Sequence, residues 1–173
     1  MGGSPGRGAL AAASLKRRFT TSRAYILRPG DGRSIDLGGF RMSVKADEAA
    51  SDGEFTLLEA EEPAGFGPPL HIHRNCAEAF YVVSGEYRIF IAGEETLCEA
   101  GSFIYIPAGL PHGFRVGRVA SRKLNLYTPA AMVGYFDEVA AAVAAGTVDD
   151  QTLAEIALRY EMEVIGPVPG GYV

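Results

Sequence analysis

From Tyr25 to Tyr127 the chain is a succession of short apolar runs, each closed by Gly, Pro, Asp or Ser. Tyr25-Ile26-Leu27 leads into a Pro29-Gly30-Asp31-Gly32 turn, and Ser34 to Leu37 ends at the Gly38-Gly39 break. Phe40 to Val44 alternates apolar with polar, and Phe55 to Ala60 does so after an Asp52-Gly53 turn. Pro and Gly then crowd residues 63–69. Beyond them the pattern predicts short strands around 70–74, 78–83, 86–91, 95–98, 103–106, 112–116 and 122–127. Many short strands at this spacing, separated by turn residues, are the signature of a β-sandwich or barrel.

The period changes at Thr128. Thr128-Pro129 reads as a helix start, with a hydroxyl cap before a Pro at the first helical position. Met132, Phe136, Val139 and Val143 recur at helical spacing, and Gly146 closes the segment. A second helix is expected from about Asp149 to Tyr160, burying Leu153, Ile156 and Tyr160. The apolar stripe predicts packing against the barrel's outer face. Three segments follow: a tail over residues 1–22, expected to be flexible, a barrel over 23–128, and C-terminal helices and tail over 129–173 packed on the barrel.

Bulk properties narrow the function. A length of 173 residues supports one domain with a real core. The net charge of −5, with no basic stripe on any predicted element, argues against nucleic acid as a partner. No apolar stretch approaches the roughly 20 residues a membrane span needs, so no membrane partner is expected. Cys76 and Cys98 are too few for a disulfide framework and read as small buried hydrophobes of a reduced, cytoplasmic protein. The first thirty residues carry Arg7, Lys16, Arg17, Arg18, Arg23 and Arg28 and no acid. That composition fits a mobile leader, an upstream start, or a transit peptide.

The chemistry lies in the placement of the three histidines. His71 and His73 are two apart in a predicted strand and so share one face. Glu78 follows after four intervening residues, enough to leave one strand, turn, and point a carboxylate back from the next. His112 opens a later strand just past the Pro107-Ala108-Gly109-Leu110-Pro111 turn. Three imidazoles and a carboxylate suit one divalent transition metal ion: Fe, Mn, Ni, Co or Zn. A single strand histidine is usually just a satisfied polar residue, but here every histidine of the chain falls into one arrangement. Cys76 has the opposite strand parity to His73, which speaks against a thiolate ligand.

The run from Gly65 through Pro68-Pro69-Leu70-His71-Ile72-His73 and Glu78 to Gly85 resembles the first cupin motif. Its pattern is Gly, five spacers, His-x-His, four spacers, Glu, six spacers, Gly. Gly101 through Pro107, Gly109 and His112 resembles the second: Gly, five spacers, Pro-x-Gly, two spacers, His. Val116 stands where that motif usually ends in Asn, which removes a polar contact near the site without touching a ligand position. Beyond the motifs, the runs Tyr25–Gly30, Thr56–Glu59, Glu78–Val83 and Thr128-Pro129-Ala130, with Arg159-Tyr160 leading to Gly166-Pro167, resemble small bacterial cupins related to quercetin 2,3-dioxygenase.

This resemblance implies an all-β fold, a double-stranded β-helix or jelly-roll barrel, with two short C-terminal α-helices. It implies metal ligation by His71, His73, Glu78 and His112. It also gives Glu78 a catalytic role, taking a proton from an enolic or phenolic hydroxyl. The expected activity is that of a dioxygenase acting on a small enolic or phenolic, flavonoid-like compound. A non-oxidative isomerase, cyclase or lyase, and a ligand-binding module without turnover, remain open alternatives. Strand parity adds Phe80, Val82 and Phe114 as substrate contacts, and Phe55, Leu57 and Tyr105 as further candidates. Core packing explains any one of them alone. Glu59 is weighed between the pocket and solvent, with solvent the commoner fate of a strand acid. A homodimer is expected, with a strand near Tyr25 covering a neighbour's sheet edge.

Overall fold

The computed structural model describes residues 23–169. The expected tail over residues 1–22, with most of the basic leader, lies outside the described residues. Eleven strands and two helices follow in order: β1 (Arg33–Asp36), β2 (Arg41–Ala46), β3 (Thr56–Glu62), β4 (Leu70–His73), β5 (Ala77–Ser84), β6 (Glu86–Ile91), β7 (Glu94–Glu99), β8 (Phe103–Ile106), β9 (His112–Val116), β10 (Ser121–Thr128), α1 (Val133–Ala145), α2 (Asp150–Arg159) and β11 (Met162–Gly166).

The strands form two antiparallel sheets. One has the order β1-β2-β3-β10-β5-β8 and the other β11-β4-β9-β6-β7, the jelly-roll arrangement in which consecutive strands cross between sheets. Alternation drives the folding of each strand. β10 shows the period plainly, with Ser121, Lys123, Asn125 and Tyr127 buried and Arg122, Leu124 and Leu126 half-buried on the other face.

The core has two parts. Phe80, Val82, Tyr87, Ile89, Ile106, Phe114 and Val116 pack together between the sheets. Leu58, Met42, Tyr127, Met132, Ala157 and Met162 pack where the first sheet meets the helices. Removing a side chain such as Leu58 or Val82 from water stabilises the fold by about 1.5–3 kcal/mol each. The bidentate pair from Arg33 to Asp137 ties β1 to α1 at 2.6 and 3.0 Å. Both partners are about half exposed, so the tie adds at most about 1 kcal/mol.

Four features differ from the sequence expectations. Residues 23–28 form no strand, so the expected edge-covering segment is absent there. Tyr25 instead donates its hydroxyl to the Lys45 carbonyl at 2.7 Å. α1 begins at Val133 and not at Thr128-Pro129, because Thr128 is still the last residue of β10 and spends its hydroxyl on the Glu54 carbonyl at 3.0 Å. The Met132, Phe136, Val139 and Val143 stripe lines a cavity at the barrel opening, where it was expected to pack on the outer face. Last, the segment after α2 adds β11 to the second sheet, pairing Met162 with His73 and Val164 with His71. α2 itself starts where its cap chemistry requires, with Asp149 accepting from the Thr152 amide at 2.7 Å.

Gly85, between β5 and β6, has φ +77°, and a Cβ there would lie 2.1 Å from the Ser121 hydroxyl. Ser121 is itself fixed, accepting from the Glu86 amide at 3.0 Å. Gly85→Ala is therefore expected to destabilise the fold by more than about 1 kcal/mol. Denaturant unfolding measures this, and an unchanged midpoint would show that the turn relaxes freely.

Candidate metal centre

Each of the four candidate ligands stands on an interior strand. β4 carries His71 and His73 and is flanked by β11 and β9; β9 carries His112 directly opposite His71. Glu78 comes from the other sheet, on β5, between Tyr127 of β10 and Ile106 of β8. All four are buried, with exposures of 7% or less. Their ligand atoms lie within 4.8 Å of one another. The Glu78 Oε2 oxygen is 2.8 Å from His112 Nε2, 3.3 Å from His73 Nε2 and 4.0 Å from His71 Nε2. Metal–ligand bonds of about 2.0–2.2 Å put neighbouring donor atoms about 3 Å apart and opposite ones about 4 Å apart. The three distances from Glu78 Oε2 fall in that range.

Local backbone fixes which nitrogen faces inward. His71 Nδ1 donates to the Pro69 carbonyl at 2.7 Å, and His112 Nδ1 donates to the Leu110 carbonyl at 2.8 Å. Each carbonyl lies two residues upstream, where the chain enters the strand. Both Nε2 atoms are left pointing at the shared centre, the arrangement that orients metal-binding imidazoles. His73 is 2% exposed, and neither of its ring nitrogens has a hydrogen-bond partner among the described residues, its Nε2 lying 3.3 Å from Glu78 Oε2. A buried orphan acceptor of this kind is costly. A cation at the centre would satisfy the Nε2 that faces it, so the residues present fit a metal ion and could hold one.

Electrostatics agree with that role. Burial, and then the neighbouring His112, push His71 down to about 3 against the pull of Glu78, so its ring is neutral at physiological pH. For Glu78, burial acts to raise the pKa, but the His112 and His73 rings outweigh it and hold the carboxyl well below the usual range. For His112, burial acts to lower the pKa, and the hydrogen bond to Glu78 overcomes it and raises it. Without metal, His112 thus holds its proton more tightly than a free imidazole, and Glu78 gives up its own more readily than a free carboxyl. A metal ion takes the place of that proton.

Two groups that pattern reading missed support the carboxylate. Asn125 donates its amide to Glu78 Oε1 at 3.2 Å and to the Tyr127 hydroxyl at 3.3 Å. Burial and the facing Glu78 charge raise Tyr127 well above the ordinary phenol range, so it stays neutral. Asn125 supplies a polar contact at the site, while Val116 is core. The signal was present in the strand alternation of 121–127, but it reads backwards, since the apolar Leu124 and Leu126 take the outer face.

Three of the four candidate ligands, His71, His73 and Glu78, line a cavity of about 350 Å³ together with Phe114, Phe66 and one face of α1. Of the expected substrate contacts, Phe114 lines this cavity; Phe80 and Val82 are buried beside it in the core. Leu57 sits on the outward face of β3, Phe55 is 36% exposed just before it, and Tyr105 is 59% exposed on β8. None of these three lines the cavity. Glu59 also faces outward, 2.9 Å from the Lys45 ammonium. Cys76 is buried, free and pushed up to about 12 by burial, and so is a poor thiolate donor.

Because Glu78 raises the proton affinity of His112 and a metal ion competes with that proton, cobalt(II) affinity is expected to rise with pH through the His112 titration and binding to release protons. Isothermal titration in buffers of differing ionisation enthalpy measures both. A pH-independent affinity without proton release would contradict this protonation scheme. His73→Ala is expected to lose stoichiometric uptake of cobalt(II), read from the visible absorption of the bound ion.

Residues 57–118 match the cupin domain family. Among curated proteins, the quercetin 2,3-dioxygenase of Bacillus subtilis (strain 168) is 25% identical over 112 residues, which is 65% of this chain and 33% of that enzyme. The match thus spans a third of the relative's length. Among solved structures, KdgF from Halomonas sp. aligns over 62% of this chain and 94% of its own, with a TM-score of 0.55 and 18% identity. The polyketide cyclase RemF from Streptomyces resistomycificus aligns over 61% and 80%, with a TM-score of 0.54 and 22% identity. Both motifs lie in or beside the segment that matches the cupin domain family, and the likeness to these solved structures shows the shared jelly-roll fold that brings the four candidate ligand positions to one point.

Proposed function

We propose that the protein is a metal-dependent enzyme, a dioxygenase acting on a small enolic or phenolic compound of the flavonol kind. One observation carries the reading: a buried three-histidine, one-carboxylate group borders, through His71, His73 and Glu78, a cavity of about 350 Å³ with several aromatic side chains in its lining, at the lower end of the range for small-molecule sites. The similarity to quercetin 2,3-dioxygenase supports the oxidative choice over other cupin chemistries.

When bound, the metal supplies Lewis-acid stabilisation of an ionised substrate oxygen. The protein's own residues do the rest. Glu78 is ionised at neutral pH and takes the proton of the substrate hydroxyl, with Asn125 holding its Oε1 oxygen in place. His71 and His112 keep fixed tautomers through the Pro69 and Leu110 carbonyls, so no reorientation accompanies proton transfer. Phe66, Phe114 and Phe136 present ring surface to a flat substrate and exclude water, which strengthens each polar contact inside.

Metal-loaded protein is expected to consume dioxygen when quercetin is added, measured with an oxygen electrode. Glu78→Gln, compared at matched metal content, is expected to lower that rate at least about 100-fold. Turnover at an unchanged rate without dioxygen would replace this reading by a non-oxidative isomerase, cyclase or lyase. Tight quercetin binding with no turnover under either condition would make the protein a binding module.

A further inference from the structure

The inward face of β10 carries a second polar group that metal ligation does not use. Lys123 is 1% exposed, and its ammonium donates to Glu62 Oε1 at 2.6 Å. Glu62 is 2% exposed, and its other oxygen accepts from the Tyr87 hydroxyl at 2.9 Å. The remaining surroundings of the ammonium are aromatic: Phe114 with its ring centre at 4.1 Å, Tyr87 at 5.3 Å and Phe80 at 5.4 Å. An ammonium has three N–H donors, and among the described residues one hydrogen bond, to Glu62, is formed.

A buried ion pair is a poor device for stability, since an apolar pair of the same size usually serves as well or better. The position of this pair suggests a use. Lys123 and Glu62 line the same cavity as His71, His73 and Glu78. Asn125 lies two residues along β10 from Lys123, so their Cα atoms are about 7 Å apart on one face. Its Oδ1 is buried without a hydrogen-bond partner, while its amide is fully engaged with Glu78 and Tyr127. Beside the metal group, one strand therefore presents spare ammonium donors and an unpaired amide acceptor to the same space.

We propose that Lys123 and Asn125 form a second anchor for the substrate, distinct from the metal ligands. Lys123 donates to a carbonyl or phenolate oxygen, and Asn125 Oδ1 accepts from a hydroxyl. Glu62, fixed by Tyr87, positions the ammonium and neutralises its charge when the cavity is empty of ligand. The anchor rests on the flavonol reading above and deepens it. The ligand class is then an aromatic compound that carries oxygen groups beyond the hydroxy-ketone that faces the metal, and not a bare enol.

The test is anaerobic binding to cobalt-loaded protein, followed by ligand absorption, so that turnover plays no part. The probes are quercetin, which has several further hydroxyls, and 3-hydroxyflavone, which keeps the hydroxy-ketone and lacks them. Lys123→Met alone strands Glu62, so the paired variant Lys123→Met/Glu62→Gln, which keeps an acceptor for Tyr87, is measured beside it. Both are expected to take up cobalt as wild type does and to weaken quercetin binding at least tenfold, with less than a threefold change for 3-hydroxyflavone. Equal losses for the two probes would make Lys123 a structural prop of the metal group, and no loss for either would make it inert; both results overturn the anchor. Wild-type protein that binds neither flavonol overturns the flavonol reading itself, and the anchor with it.

Discussion

The structure depends on one carboxylate. Glu78 reaches from the first sheet into the space between the sheets and meets three imidazoles from the second. An ionised carboxyl buried alone is prohibitively expensive, so its presence requires the His112 proton on one oxygen and the Asn125 amide on the other. Those contacts in turn fix the spacing of β5 and β10 against β4 and β9. The ligand strands are all interior to their sheets, which gives the carboxylate a rigid frame. β4 would be an edge but for β11, so a strand some ninety residues later in the chain helps hold the two histidines in line.

Most of the frame could be read from the residues. β6, β8 and β9 begin and end where the apolar runs do, because Gly and Pro bound them on both sides. The ligand positions were legible because a strand period of two and a short turn are strong geometric constraints. The failures have physical causes. Thr128-Pro129 carries a good helix-start signal, yet pairing with Ala77 of β5 and the hydroxyl bond to the Glu54 carbonyl keep Thr128 in β10. Tyr25-Ile26-Leu27 has strand residues but no strand partner among the described residues, and a side-chain hydrogen bond holds it instead. β11 was missed because Met162-Glu163-Val164-Ile165-Gly166 is short and follows directly on a helix, where an apolar run also reads as the helix end.

The polar interior was the hardest part to see. Strand patterns are read with apolar residues inward, and β10 inverts that rule: Lys123 and Asn125 go in while Leu124 and Leu126 go out. The inversion is tolerated because neighbouring strands cover the outer leucines and because Glu62, four residues past Leu58 on β3, arrives at the right depth to pair with Lys123. Neither residue announces the pair alone. Only the register between β3 and β10 brings them together, and register is a tertiary fact.

Sites of this kind are where a sequence gives up local consistency, and the giving-up is informative. A barrel filled only by aliphatic side chains would satisfy every packing rule without a buried ion pair, an orphan imidazole or an amide oxygen lacking a donor. Here all three occur, and they occur along one wall of one cavity. The helices contribute mostly apolar lining, with Phe136, Val139 and Val143 of α1 and Leu153 of α2. On the reading proposed above, a suitable ligand is apolar over most of its surface and carries several oxygens along one edge. A small hydrophilic acid would satisfy the charged groups but leave the helix wall facing water, and a plain hydrocarbon would leave the buried polar groups unpaired. The amphipathic division of the cavity, more than its volume, is what restricts the chemistry it accepts.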